Sequence, residues 1–145
     1  MKLNAGLIFS IIASILWGME YSIAERIYKQ VSIYTASFYI CIVGTILSFI
    51  LGYHDLKPDT TKIMETKDLS FWFIMFIVVG SIASLCISKS VQLSNATVAA
   101  LIEISYPMFT ILFSYWLFKS VHVTKEVIFG SVLIILGIAV ITKYN

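Results

Sequence analysis

Charged residues are scarce in this sequence: only 12% of its 145 residues carry a charge, whereas soluble domains carry about 25%. Histidine, cysteine and proline are scarce as well, with two of each. Such a low charge content excludes an ordinary water-soluble globule. The two cysteines provide neither a disulfide framework nor a metal-ligand spacing. The basic residues are scattered along the chain, which excludes a nucleic-acid surface.

Long apolar runs take the place of charge, and 59% of the residues are hydrophobic. A membrane-spanning helix needs about 20 mostly apolar residues. Four stretches meet this length and a fifth comes close; they cover residues 5–25, 33–53, 70–91, 96–118 and 127–141, the last expected to extend to about 124–142. We therefore predict an all-α integral membrane bundle of five transmembrane helices, with residues 1–145 forming a single transmembrane domain.

The connectors between these spans are short, except for residues 54–69. This segment is rich in charge and contains Pro58, so we predict an aqueous loop. Five spans place the two ends of the chain on opposite sides of the membrane. The N-terminal side receives Lys2, Lys57, Lys62, Lys67, Lys119 and Lys125, and the other side Arg26, Lys29, Lys89 and Lys143. This bias is weak and is compatible with insertion in both orientations.

Two carboxylates lie inside predicted spans, Glu20 in the first and Glu103 in the fourth. An ionised carboxylate at the bilayer centre costs at least about 2.5 kcal/mol, so such residues normally face a cavity, pair with a cation or hold a proton. Both are therefore candidate substrate-binding residues. The alternative is a structural ion pair with Lys89, near the end of the third span.

Polar side chains continue from each carboxylate along one helical face, which predicts a pocket. On the fourth span this line is Glu103, Tyr106, Thr110 and Ser114, and on the first it is Ser10, Ser14, Trp17 and Tyr21, with Glu20 to one side. Pro107 should bend the fourth helix, as in transporter helices that line a substrate path. An acidic and aromatic pocket suits a cationic or zwitterionic organic solute.

Small residues on the fifth span indicate close helix packing. Gly130 and Gly137 are seven residues apart and share a face, where another helix can approach. That helix belongs either to the same chain or to a second subunit, and we expect a dimer contact here. No enzyme site is predicted, because His54 and His122 are placed in loops without a catalytic partner. No cofactor or metal is expected.

Three sequence segments resemble the EamA-like drug/metabolite transporters. Residues 94–101 (SNATVAAL) and 106–109 (YPMF) are similar to the penultimate helix of that family's unit, and residues 16–18 (LWG) to its first helix. Residues 129–138 (FGSVLIILGI) resemble the last helix of this family and of the small multidrug resistance proteins. Two departures concern the substrate: Lys119 stands where the family usually has an acidic residue, and Glu20 where a small polar residue is commoner.

Most members of the family carry two five-helix units in inverted orientation. The resemblance thus implies that this chain is one half of an inverted-repeat transporter and pairs with an antiparallel copy of itself or with a second five-helix unit, with the substrate between them. We expect a secondary transporter, an exporter of a small organic solute, in the cell membrane of a bacterium or archaeon. The alternatives are a lipid-carrier flippase subunit and a non-transporting membrane assembly subunit.

Overall fold

The structure, a computed structural model, describes residues 5–119 and 124–144; Lys2 and His122 lie outside these ranges. The described chain forms six α-helices: α1 (Ala5–Ile27), α2 (Ile33–Glu65), α3 (Lys67–Leu93), α4 (Ala96–Glu103), α5 (Tyr106–Phe118) and α6 (Lys125–Tyr144). They provide five stretches long and apolar enough to cross a membrane, since α4 and α5 together make one span. The predicted all-α fold with five spans is confirmed.

Helix α2 departs most from the prediction. It is 33 residues long, or about 50 Å at 1.5 Å per residue, well beyond the hydrocarbon core of about 30 Å. A kink at Gly52 (φ −110°, ψ 16°) separates the apolar part from residues 53–65, which are also helical and include His54 and Pro58. The predicted loop over 54–69 was therefore wrong, with only Thr66 outside the helices. The charged residues and the proline indicated that this segment contacts water. A solvated helix provides that contact as well as a loop does.

The fourth span is interrupted. Helix α4 ends at Glu103 and α5 begins at Tyr106, where we expected one bent helix. Pro107 has no N–H, so the carbonyl group of Glu103 cannot accept the usual helical hydrogen bond. Tighter bonds take over at the junction: Ser105 N–H donates to Ile102 O and Met108 N–H to Ser105 O, both at 3.1 Å. The break therefore lies immediately after the carboxylate residue.

The contacts within the chain group it into two compact units, and helix α1 contributes to both. The first unit contains residues 5–23 and 94–144 among those described, and the second contains Ala24–Leu93. In the first unit α4 packs against α6. Ala96 and Ala99 on α4 and Ser131 on α6 are buried, which agrees with the close approach that small side chains permit. The Asn95 side chain caps α4 by accepting from Val98 N–H at 2.8 Å.

The second unit is built mainly by α2 packing against α3. Its buried side chains include Tyr28 (7% exposed), Ile33 (4%) and Val91 (2%). The Tyr28 hydroxyl donates to Ser88 Oγ at 3.2 Å, and the Ser88 hydroxyl donates to Ser84 O at 2.9 Å. This chain of hydrogen bonds attaches the segment after α1 to α3.

Most apolar side chains of the spans are exposed on the single chain. None of the residues in the apolar windows of α2 and α3 is buried, and large side chains such as Phe76 and Leu51 are 72% and 85% exposed. An apolar surface of this extent requires lipid or another subunit as its surroundings. The fold is therefore that of a membrane protein, in which few of the described side chains are buried within the chain.

Candidate functional site

The first unit contains a cavity of about 520 Å³, which is within the range of about 300–1,000 Å³ typical of small-molecule sites. Residues of α1, α4 and the start of α5 line it: Ser10, Ala13, Ser14, Trp17, Gly18, Tyr21, Ala100, Glu103, Ile104 and Tyr106. Helix α1 provides one wall, and the interrupted span provides the other.

The α1 wall follows from helical periodicity. Ser10, Ser14, Trp17 and Tyr21 are spaced by four, three and four residues, so they share one face of the helix. The rings of Trp17 and Tyr21 meet edge to face, with centroids 5.6 Å apart and an interplanar angle of 68°. Tyr21 is only 6% exposed, whereas Trp17 is 56% exposed. Tyr21 is therefore held in place, and Trp17 presents more of its ring to an incoming solute.

The opposite wall places a carboxylate against this aromatic pair. The Tyr21 hydroxyl donates a hydrogen bond to Glu103 Oε2, across 82 residues of sequence. Glu103 is the last residue of α4 and Tyr106 the first of α5, so the helix break brings both into the lining. Within the first unit, the described residues provide no ion-pair partner for Glu103. Its charge is thus stabilised by a phenol hydroxyl and remains available to a cation.

Glu20 has different surroundings from Glu103, although both belong to the first unit. It does not line the cavity. Its Oε2 is buried and has no hydrogen-bond partner among the described residues, and its carboxylate is within range of electrostatic repulsion from Glu103. Lys89, the cation considered as a structural partner, donates instead to Gln92 Oε1 of its own helix at 2.7 Å.

The remaining residues of the predicted polar line lie away from the cavity. Thr110 and Ser114 are one and two turns beyond Tyr106 on α5, about 6 and 12 Å along the helix, and neither belongs to the lining. The Thr110 hydroxyl donates to the Tyr106 carbonyl oxygen at 3.1 Å. Both residues follow Tyr106 within the same helix α5, so their distance along the helix axis, and not the break after Glu103, leaves them outside the lining.

Gly130 and Gly137 lie on α6, outside the cavity lining. Among the described residues, a Cβ atom added at either glycine would have no atom within 4 Å, apart from its own helix backbone and chain neighbours. Within the chain, these glycines are therefore open to a neighbouring subunit or to lipid rather than filled by another helix.

Sequence reasoning missed the small and apolar part of the lining. Gly18 and Ala13 on α1 and Ala100 and Ile104 near the break all contribute to the cavity wall. Gly18 could have been found from its spacing of four from Ser14. The other three have no distinctive pattern, because alanine and isoleucine occur throughout the spans.

Lys119, which stands where the family usually has an acidic residue, lies at the C-terminal end of α5. Its backbone has a positive φ of 52° and caps α5, with its N–H donating to Ser114 O and Tyr115 O. Its Nζ lies 5.2 Å from the centroid of the Tyr115 ring. A cation at a helix C-terminus interacts favourably with the helix dipole, so this lysine stabilises the end of α5.

The chemistry of the cavity is that of binding. A cavity lined by a carboxylate and by the rings of Trp17 and Tyr21 can attract an organic cation through charge and through the ring quadrupoles. No group of three or more histidine, cysteine, aspartate or glutamate side chains suited to a metal ion occurs in the described residues. The site therefore suits recognition of a solute.

Comparison with curated proteins and with solved structures found no match. A family model does match, that of the EamA-like transporter family, over residues 4–143. The match covers all five spans and both walls of the cavity. Members of this family are multi-pass membrane transporters of small solutes and not enzymes, which agrees with a solute-sized cavity between membrane helices. On this sequence match and the five-span fold, the chain belongs to the EamA-like transporter family.

Proposed function

We propose that this chain is one half of a secondary transporter that exports a small organic cation or zwitterion, with proton exchange as its driving reaction. The observation that carries the proposal is the cavity of about 520 Å³ lined by Trp17, Tyr21 and Glu103, in which the Tyr21 hydroxyl donates to the Glu103 carboxylate. A carboxylate within a membrane span is costly unless it has a function or a partner. Here its partner is a neutral phenol, which leaves room for a cationic one.

The working unit in this proposal is a dimer, either of two antiparallel copies or with a second five-helix unit. The exposed apolar faces of α2 and α3 supply surface for such pairing. The balanced distribution of Lys and Arg permits both orientations. A bacterial or archaeal inner membrane is the location proposed for this dimer.

Within this dimer, we propose that α6 forms the contact at Gly130 and Gly137, in addition to any pairing through α2 and α3. Gly130→Leu and Gly137→Leu should weaken the dimer, and because an added side chain meets open space in the single chain, each variant should insert and fold normally. Native mass spectrometry measures the fraction of dimer directly. An unchanged dimer fraction in both variants would move the contact to another helix.

Transport is tested in liposomes containing the purified protein, with benzyltrimethylammonium as the probe cation and an imposed pH gradient. We expect uptake against its concentration gradient, and loss of that uptake in Glu103→Gln, which keeps the shape of the side chain but removes its charge. The matched control is Glu65→Gln, at the exposed end of α2, which should transport normally.

The same vesicles test the two rival functions. Scrambling of a labelled lipid without cation flux would favour the flippase subunit. Neither cation flux nor scrambling, despite correct insertion, would favour the assembly subunit. Wild-type transport of the probe by Glu103→Gln would remove Glu103 from the substrate site.

A further inference from the structure

Glu20 and Glu103 sit in opposite hydrogen-bonding environments. The carboxylate of Glu103 lines the cavity and receives a hydrogen bond from the Tyr21 hydroxyl. A carboxylate oxygen in a solute-sized cavity can also accept a hydrogen bond from a bound cationic group. Glu20 Oε2, in contrast, is buried without any hydrogen-bond partner in the described chain. Burial of an unpaired charge is unfavourable, so a carboxyl group in that position is better accommodated with a proton.

We propose that the two carboxylates divide the work of transport, with Glu103 as the charged group that binds the cation and Glu20 as the separate group that carries the proton. This inference rests on the proposed function and adds to it. The sequence alone made both carboxylates candidate substrate-binding residues, without separate roles.

Coupling in this scheme is electrostatic. When the cavity is empty, the negative charge of Glu103 opposes a second negative charge nearby, and Glu20 retains its proton. A bound cation neutralises Glu103 and removes that opposition, so the O–H bond of Glu20 breaks and its proton passes to water. Departure of the cation restores the charge of Glu103, and Glu20 takes up a proton again. Binding of the cation to Glu103 and binding of the proton to Glu20 thus exclude each other, although the two ions occupy different carboxylates.

Apart from Glu103 on α4, two titratable groups line the cavity among the described residues. They are Tyr21 on α1 and Tyr106 on α5. No lysine or arginine of the first unit forms an ion pair with either carboxylate, as far as the described residues show. Within this unit, Glu103 is therefore the charge that acts on Glu20.

Infrared spectroscopy of the purified protein in lipid nanodiscs tests the division, through the C=O stretch of a protonated carboxyl group. Of the eight acidic residues, exposed ones should be ionised at neutral pH and contribute nothing to that band. We expect the band in the wild type at neutral pH and its absence from Glu20→Gln at every pH. In Glu103→Gln, which lacks the opposing charge as the cation-bound protein does, the band should appear only at a lower pH than in the wild type. Glu65→Gln is the matched control and should keep it. Circular dichroism and the elution volume of each variant confirm that it is folded.

Adding benzyltrimethylammonium should abolish the band of the wild type and release a proton into weakly buffered medium. A band that persists in Glu20→Gln, or that is absent from folded Glu103→Gln at every pH, would overturn the division, as would absence of the band from the wild type. A probe that binds without changing the band would overturn the electrostatic coupling. Failure of the probe to bind, with the Glu20 band present, would instead count against the proposed substrate class, so the two failures are distinguishable.

Discussion

Replacement of Trp17 gives a quantitative test of the cavity as a cation site. The ring lies beside Tyr21 and is 56% exposed, so its attraction for a cation belongs near the middle of the range known for such contacts, at about 1 kcal/mol. Loss of that free energy weakens binding about five-fold. Trp17→Leu should show this loss, whereas Trp17→Phe, which keeps an aromatic face, should show a smaller one.

Equilibrium binding of radiolabelled benzyltrimethylammonium to purified protein measures both affinities. Trp116→Leu is the matched control, because Trp116 is 67% exposed on α5 and does not line the cavity. Its affinity should equal that of the wild type. Equal affinities for Trp17→Leu and Trp17→Phe would refute the reasoning, since they would show that the face of the ring contributes nothing to cation binding.

Three further predictions follow from other parts of the structure. Gly18→Leu should fold normally but lose binding of the probe, because an added side chain meets no neighbouring atom within 4 Å and would occupy the cavity. Ser88→Ala should lower the free energy of unfolding in mixed micelles by more than Tyr28→Phe does. The serine replacement leaves the buried Tyr28 hydroxyl without its acceptor, at a cost of about 1–3 kcal/mol. Equal losses in the two variants would contradict this. In a cysteine-free background, Thr66→Cys and Lys143→Cys should react with impermeant reagents from opposite sides in molecules of one orientation, and labelling from a single side in all molecules would contradict five spans.

The number of spans was predictable because it depends on local composition. A bilayer forces each apolar stretch of about 20 residues into a helix that satisfies its own backbone. The predicted first span, residues 5–25, therefore agrees closely with α1 at Ala5–Ile27. The segment after Gly52 was predicted wrongly because polarity indicates contact with water and not the backbone conformation.

The grouping of Ser10, Ser14, Trp17 and Tyr21 on one wall could also be predicted, since it requires only the 3.6-residue period of one continuous helix. The fourth span lacked that continuity. Pro107 marked the region of a bend, but its sequence did not show that the helix would stop at Glu103 and restart at Tyr106. Thr110 and Ser114 were placed in the pocket because they share a helical face with Tyr106, but the lining does not extend that far along α5.

The sequence by itself determined that this protein lies in a membrane, how many times it crosses, and which side chains of α1 share a face, because each of these depends on interactions within a short segment. Only the tertiary structure decided that Tyr21 binds Glu103, 82 residues away, and that Glu20 is left outside the cavity with an unpaired oxygen. In the sequence each carboxylate is a single acid in an apolar span, and Glu20 differs only in lying to one side of the polar line of its helix. Their difference arises from which helix faces meet, and such contacts between distant segments depend on packing that no local pattern specifies.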